Sequence, residues 1–188
     1  INGASLRLIA DSADEALTLS KQLGLRGLNV TAPFKQEIFT KLAGCLGADA
    51  VRTGAVNTIT FESTANSQMP PHGENTDVGG VRECLQQVLA NRGSIGIKAL
   101  VLGAGGASRA AVCALGDLGI DILVANRTFL NAQNLTAHLG GKAIEWLEGS
   151  LTSAFKEVQL VISTIPDSAL LELIPLMQPG QVLLNAVY

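Results

Sequence analysis

The stretch of residues 99–110 constrains the fold of this chain more than any other part of the sequence. An apolar run at residues 99–102 predicts a buried strand, which leads through Gly103, Gly105 and Gly106 into an alanine-rich helical segment. Glycines let the backbone approach a phosphate, and the first N–H groups of a helix attract its charge. The order of strand, glycine turn and helix therefore predicts a dinucleotide pyrophosphate site. A tight turn that binds no ligand is the alternative.

Two details depart from the usual NAD fingerprint. Ser108 stands where G-x-G-x-x-G has its third glycine. After the next predicted strand, at residues 121–125, the chain continues with Asn126, Arg127 and Thr128, whereas NAD sites usually carry Asp or Glu about 20 residues after the glycines. The planar fork of an arginine suits a phosphate. The sequence therefore predicts NADP rather than NAD, with a solvated loop cation as the alternative interpretation of Arg127.

Composition excludes several classes of protein. The chain has 188 residues, and 47% of them are hydrophobic. Its formal net charge is −3, so nucleic acid is not an expected partner, because phosphate binding needs concentrated basic charge. The sequence has no apolar run of the roughly 18 residues that a membrane helix needs, and its first residues do not resemble a signal peptide. Three separated cysteines and two histidines give no metal-ligand spacing. We expect reduced cysteines, no metal and a cytoplasmic protein.

Strand and helix patterns alternate along the chain, which predicts an α/β fold with largely parallel sheets. We expect two α/β domains, residues 1–92 and residues 93–188, divided at the turn-rich segment 91–96. The second domain is predicted to be a Rossmann-like doubly wound parallel sheet. The predicted strands are residues 5–10, 26–30, 55–61, 98–102, 121–125, 142–145, 158–163 and 181–187. The predicted helices of the first domain are residues 12–23, 33–41 and 77–92, and residues 62–71 are predicted to form a turn-rich excursion.

Polar residues of the first domain lie near predicted strand ends and helix starts. Thr31 follows the strand at residues 26–30 and is expected at its carboxyl edge, where α/β sheets bind ligands. Asn57 falls inside the strand predicted at residues 55–61. A helix that begins at Pro33 places Lys35 in its first turn, and Asp77 stands where a helix N-cap is expected. The residues alone leave open whether Lys35 and Asp77 are functional or are a solvated cation and a cap.

Five motifs in order are similar to those of the shikimate dehydrogenase family, over roughly residues 25–130. They are N-V-T-A-P-F-K at 29–35, G-A-V-N-T at 54–58, N-T-D at 75–77, G-A-G-G-A at 103–107 and N-R-T at 126–128. The resemblance implies reversible reduction of 3-dehydroshikimate to shikimate with NADPH, a step of aromatic amino-acid biosynthesis. It also implies a small-molecule substrate and a monomer or homodimer.

The resemblance assigns roles to residues by their motif positions. Lys35 and Asp77 match the catalytic pair, which holds and shuttles the proton of the reacting hydroxyl, and Thr31 and Asn57 match substrate contacts. The residues that match the cofactor site are Gly103, Gly105, Gly106, Ala107, Asn126, Arg127 and Thr128.

The sequence also departs from the family pattern. No S-x-S-P motif precedes Thr31, and the terminal helices usual in the family do not follow, so we expect a fragment. Asn185 stands in place of the Asp of D-x-x-Y, a match that makes Tyr188 a candidate substrate contact. Asp167 begins the segment where Gly-Met is usual. The alternatives are an NAD-using quinate/shikimate dehydrogenase and a catalytically silent relative that binds a metabolite or nucleotide.

Overall fold

The computed structural model describes residues 3–61, 70–90 and 96–186. Its packing divides the chain into two compact units, Ile1–Asn75 and Thr76–Tyr188. Tyr188, most of the segment 91–96 and most of the excursion 62–71 lie outside the described residues. Among the described residues, no helix combines the length and the apolar character needed to cross a membrane.

The first unit is a small three-stranded antiparallel sheet with helices. Its elements are α1 (Ala13–Gln22), β1 (Gly27–Asn29), α2 (Lys35–Lys41), α3 (Ala48–Thr53), β2 (Thr58–Thr60) and β3 (His72–Glu74), and the strand order is β1-β2-β3. Ile38 of α2 and Ile59 of β2 are fully buried members of its apolar cluster.

The direction of these strands differs from the expectation of largely parallel sheets. Both strand pairs are antiparallel, with Leu28 opposite Ile59 and Ile59 opposite Gly73. Thr60 and His72 end and begin neighbouring strands, and the short connection between them lacks the length that a parallel crossover requires. β1 and β2 lie within the strands predicted at residues 26–30 and 55–61, whereas the three-residue β3 and the six-residue α3 are too short for hydrophobic periodicity to reveal them.

The strand predicted at residues 5–10 is wrong. These residues belong to no helix or strand, and Leu6 and Ile9 are 56% and 77% exposed. Alternating apolar residues form a strand only where a neighbouring strand supplies hydrogen-bond partners for the backbone.

The helix predicted next, at residues 12–23, is confirmed as α1. The Glu15 N–H donates to Ser12 Oγ at 3.1 Å, and Gly24, at a φ of 63°, follows the end of the helix.

The second unit is a five-stranded parallel sheet with helices on both faces. Its elements are α4 (Asp77–Leu89), β4 (Lys98–Leu102), α5 (Gly106–Asp117), β5 (Asp121–Ala125), α6 (Phe129–Leu139), β6 (Lys142–Ile144), α7 (Glu148–Glu157), β7 (Leu160–Ser163), α8 (Asp167–Leu171) and β8 (Val182–Asn185). The strand order is β6-β5-β4-β7-β8. The chain therefore winds outward from β4 in both directions, and the order reverses between β4 and β7. This confirms the predicted doubly wound fold, in which ligands bind at the reversal, outside the carboxyl ends of the strands.

The core of the second unit explains where the chain divides. Val78, Leu85 and Leu89 of α4 are buried in one apolar cluster with Ala110 of α5 and Val101 of β4. The other face of the sheet packs against α7 and α8 in a second cluster. Because α4 buries its apolar side against α5, packing divides the chain after residue 75, earlier than the predicted limit at residues 92 and 93. The functional roles of the two parts stay a prediction.

Candidate active site

The glycine turn lies at the carboxyl end of β4 and leads directly into α5. The Gly103 N–H donates to Ala125 O at 2.8 Å, and Gly103 has a φ of 112°. A Cβ at this position would collide with Thr164 Oγ1, so the turn requires glycine here for both its conformation and its space. By contrast, Gly105 is the N-cap at a φ of −85°, and a Cβ there would meet nothing within 4 Å. That open position leaves room for a ligand at the start of the helix.

Gly106 and Ala107 are the first two residues of α5. The first N–H groups of a helix have no acceptor within the helix, and the helix dipole adds positive potential at the same end. The first turn of α5 contains no acidic residue. The position and charge of this turn therefore suit an anionic group such as a pyrophosphate.

Ser108 has a role that the sequence reasoning missed. Its hydroxyl accepts the Gly105 N–H at 3.2 Å and lies 2.6 Å from Thr164 Oγ1, and the residue is fully buried. The serine that appeared only as a departure from G-x-G-x-x-G therefore caps α5. Its spacing of three residues from the N-cap, the spacing of a capping box, is the signal that could have found it.

The N-R-T segment lies beside the glycine turn. Leu102 and Ala125 are register partners at the ends of β4 and β5, and Asn126 Nδ2 donates to Thr128 O at 2.9 Å, closing the turn before α6. Arg127 and Thr128 are exposed. The structure thus brings the two predicted cofactor segments together at one edge of the sheet.

Arg109 is a second basic residue near this turn. It lies one residue after Ser108 in α5 and is half-buried. Burial lowers the pKa of Arg109 below its ordinary value, an effect that Cys113 partly opposes. A cation close to the positive end of a helix dipole is disfavoured, so an anion bound at the turn would relieve both costs. The sequence stretch contained Arg109, but its type alone did not distinguish it from a surface cation.

Three predicted residues of the first unit are tied together through the backbone. The Val30 N–H donates to Asn57 O at 2.7 Å, next to Thr31, and the Val56 N–H donates to Lys35 O at 2.8 Å. Lys35 lies in the first turn of α2, as predicted, although the helix begins at Lys35 itself and not at Pro33. Lys35 is half-buried, whereas Thr31 is exposed. Thr31 and Lys35 from one motif and Asn57 from another therefore meet at one end of the small sheet.

The surroundings of Asn57 differ from the prediction that it lies within a strand. The residue is buried and precedes β2, and its Oδ1 accepts the Thr58 hydroxyl at 2.9 Å. A buried pair supports this segment: Asn75 Nδ2 donates to Thr53 Oγ1 and to Ala55 O, each at 3.0 Å. Buried polar side chains held in this way fix the backbone around them. The sequence reasoning placed Asn75 in a motif but gave it no role.

Asp77 is the first residue of α4, and Thr76 is the N-cap, so the alternative interpretation of Asp77 as the cap of this helix is wrong. The carboxylate is half-buried and lies at the end of the helix where the dipole favours negative charge. Tyr188, the remaining predicted substrate contact, lies outside the described residues.

The two departures from the family pattern in the second unit meet each other. Asn185, at the end of β8, donates from Nδ2 to Asp167 Oδ1 at the start of α8, at 3.0 Å. A carboxylate at residue 185 would face a second carboxylate at this distance, and like charges disfavour each other. The amide at 185 is therefore physically consistent with the acid at 167.

Within residues 3–61, 70–90 and 96–186, no group of three or more His, Cys, Asp and Glu side chains is placed to hold a metal ion.

Comparison with known proteins places both units in one family. Residues 4–59 match the shikimate dehydrogenase substrate binding domain, and residues 86–172 match the shikimate / quinate 5-dehydrogenase family. The shikimate dehydrogenase (NADP(+)) of Halobacterium salinarum is 44% identical over 134 residues, which is 71% of this chain and 47% of that protein. The chain thus spans about half the length of this curated relative.

Solved structures agree with the sequence matches. The shikimate dehydrogenase of Aquifex aeolicus superposes with a TM-score of 0.78 at 29% identity, over 96% of this chain and 65% of that one. A Thermus thermophilus shikimate 5-dehydrogenase solved in complex with NADP(H) and shikimate superposes with a TM-score of 0.68 at 27% identity, over 94% and 64%. Taken with the five ordered motifs and the doubly wound sheet, these matches mean that the chain belongs to the shikimate dehydrogenase family.

Proposed function

We propose that this chain carries the substrate-binding and cofactor-binding parts of an NADP-dependent shikimate dehydrogenase. The reaction is the reversible reduction of 3-dehydroshikimate to shikimate in aromatic amino-acid biosynthesis. The observation that carries the proposal is that the open start of α5 and Arg127 follow the carboxyl ends of two adjacent parallel strands, β4 and β5. This edge of the sheet offers N–H groups and a guanidinium to phosphates, and its N-R-T turn contains no acid that would favour a ribose hydroxyl.

The residues present fit NADP in their chemistry. The turn at Gly103, Gly105, Gly106 and Ala107 would hold the pyrophosphate, and Asn126, Arg127 and Thr128 would hold the adenosine phosphate. When bound, NADPH supplies the hydride that reduces the carbonyl carbon. Side chains of the chain must therefore supply and remove the proton at the carbonyl oxygen.

Lys35 and Asp77 are the proposed groups for that proton. In the reduction, the pair donates a proton to the oxygen as the carbon accepts the hydride, and in the oxidation it removes the hydroxyl proton. Because both groups act on one hydroxyl, the proton is assigned to the pair and not to either residue alone. Thr31 and Asn57 would bind the hydroxyl or carboxylate groups of the substrate, and Tyr188 is the remaining proposed contact.

The first test is an assay of the full-length gene product, in which NADPH formation is followed by absorbance with shikimate as substrate. We expect activity with NADP⁺ and shikimate to exceed that with NAD⁺ or with quinate. Faster turnover with NAD⁺ and quinate would favour a quinate/shikimate dehydrogenase. Nucleotide binding without any turnover would favour a catalytically silent relative.

The same preparation gives the oligomeric state, proposed as monomer or homodimer. We also propose a cytoplasmic location and no nucleic-acid or membrane partner.

Replacing Arg127 with aspartate should weaken the use of NADP relative to NAD. The exchange removes the phosphate-binding fork and introduces a carboxylate that repels the adenosine phosphate but accepts a ribose hydroxyl. We expect the ratio of kcat/KM for NADP⁺ to that for NAD⁺ to fall at least about tenfold, the equivalent of roughly 1.4 kcal/mol. Lys142→Asp is the matched control, because Lys142 begins the neighbouring parallel strand β6, whereas Arg127 follows the carboxyl end of β5. An unchanged ratio in Arg127→Asp would remove the argument for NADP.

A further inference from the structure

A chain of hydroxyl groups joins the turn after β7 to the glycine turn after β4. Thr164 Oγ1 donates to Leu102 O at 2.9 Å and lies 2.6 Å from Ser108 Oγ. Ser108 Oγ accepts the Gly105 N–H at 3.2 Å. The contact between the two hydroxyls joins residues 56 positions apart in the sequence.

The directions of these hydrogen bonds are assigned from the Leu102 carbonyl oxygen, the acceptor at which the series ends. The Thr164 hydroxyl has one proton and two acceptors within reach, Leu102 O and Ser108 Oγ, and Leu102 O also accepts the Thr164 backbone N–H at 3.0 Å. We assign the hydroxyl proton to Leu102 O, because a carbonyl oxygen can only accept, whereas Ser108 has a proton of its own to donate. Ser108 must then donate its own proton to Thr164 Oγ1, which leaves a lone pair on Ser108 Oγ for the Gly105 N–H. The order of donation is therefore Gly105, Ser108, Thr164 and Leu102. Hydrogen bonds arranged head to tail polarise and strengthen one another.

Packing makes this arrangement difficult to replace. Ser108 is fully buried, so its proton has no access to water if Thr164 loses its oxygen, and an unsatisfied buried donor is costly. Thr164 Oγ1 also lies against the α-carbon of Gly103, where a Cβ would collide with it. The same hydroxyl therefore contacts the first glycine of the turn and, through Ser108, holds the second.

The position of Thr164 in the fold relates these hydrogen bonds to nucleotide binding. Leu102 and Ser163 are register partners on β4 and β7, the two strands between which the sheet order reverses. The loops that follow these strands form the two sides of the crevice where doubly wound sheets bind nucleotides. Thr164 belongs to one loop, and Gly103, Gly105 and Ser108 belong to the other side.

We propose that Thr164 is a positioning residue for the dinucleotide. Its hydroxyl orients Ser108, which holds the Gly105 N–H and so keeps the first N–H groups of α5 directed toward the pyrophosphate. The inference rests on the proposed NADP function, but it adds a residue that the family motifs did not mark, on the far side of the sheet reversal from the glycine turn.

The test compares Thr164→Val, which keeps the shape and loses the hydroxyl, with Thr164→Ser, which keeps the hydroxyl. In the full-length protein, Thr164→Val should raise the Kd of NADPH and the KM of NADP⁺ about tenfold, a typical effect of one lost buried hydrogen bond. Its kcat and the KM of shikimate should stay within about twofold of wild type, because cofactor binding, and not the proton transfer, is weakened. Thr164→Ser should restore the wild-type Kd to within about threefold.

Two further variants separate positioning from a general loss of stability. Thr136→Val removes a hydroxyl that donates to Ala132 O at 3.1 Å on α6 and should leave the Kd of NADPH unchanged. In a Ser108→Ala background, Thr164→Val should have little further effect, because the path from Thr164 to Gly105 is already broken. An unchanged Kd in Thr164→Val, or equal weakening in Thr164→Ser, would overturn the proposal. If Thr164→Val does not fold, Thr164→Ser and Ser108→Ala decide it: the serine variant must bind like wild type and the alanine variant about tenfold more weakly.

Amide hydrogen exchange of the unliganded protein distinguishes failure of this inference from failure of the proposed function. Thr164→Val should speed exchange at the Gly105 amide, whether or not NADPH is the ligand. If the wild-type protein does not bind NADPH, the proposed function is wrong. If the wild-type protein binds NADPH but the Gly105 amide exchanges at the same rate in wild type and in Thr164→Val, the positioning role of Thr164 is wrong.

Discussion

Replacing Lys35 with alanine is expected to lower the kcat of shikimate oxidation by at least about 100-fold, the usual range for a lost proton-transfer group. The Kd of NADPH should change little, because Lys35 begins α2 in the first unit and the predicted cofactor residues belong to the second. Steady-state kinetics of the full-length protein and a fluorescence titration of NADPH measure the two effects separately.

Two comparisons make the Lys35 experiment specific. Lys41→Ala removes a cation from the other end of the same helix, where it pairs with Asp14 at 2.7 Å on the surface, and it should leave kcat near the wild-type value. Asp77→Asn should also reduce kcat severely. The double variant should lower kcat by much less than the product of the two single fold-reductions, because both groups act on one proton. Wild-type turnover in Lys35→Ala would refute the catalytic assignment.

Replacing Gly103 with alanine should destabilise the protein more than any other single methyl group added at the glycine turn. The φ of 112° is a conformation that residues with a Cβ rarely adopt, and the added carbon would collide with Thr164 Oγ1. Strain and overpacking together predict a loss of about 2–5 kcal/mol in the free energy of unfolding. Chemical denaturation measures this loss as a lower midpoint, and NADPH binding should weaken with it.

Other glycines of the same region provide the controls for Gly103→Ala. Gly116→Ala adds a methyl group within α5, where it would meet nothing within 4 Å, and should leave the midpoint unchanged or raise it slightly. Gly105→Ala should also fold normally but weaken NADPH binding, because the methyl group occupies the open side of the turn. A Gly103→Ala midpoint equal to that of Gly116→Ala would contradict the steric argument.

The local signals in the sequence were reliable where neighbouring residues alone decide the structure. The strands at residues 98–102 and 121–125 have the predicted bounds, because short apolar runs bounded by turns favour buried parallel strands. The helix predicted at residues 12–23 is observed as α1, and Ser12 caps it through the N–H of Glu15, three residues further on. The order of motifs also identified the family, since five patterns in a fixed order are much more specific than any one of them.

Arrangements that depend on distant partners were not predictable in this way. The alternation at residues 5–10 was not enough without a neighbouring strand, and the short strands β1, β2 and β3 give too few residues to reveal their antiparallel direction. Helix α4 was assigned to the first domain because of the turn-rich segment that follows it. The apolar side of α4 packs instead on α5, a preference that no pattern within the helix itself expresses.

The sequence by itself determined that β4 leads through glycines into α5, and that an arginine, with no acid, follows β5, because both are properties of adjacent residues. Only the tertiary structure decided what holds that turn. Ser108 and Thr164 are 56 residues apart, and each alone reads as an ordinary polar residue. They meet because the parallel sheet places β7 beside β4, and burial there obliges each hydroxyl to find a partner.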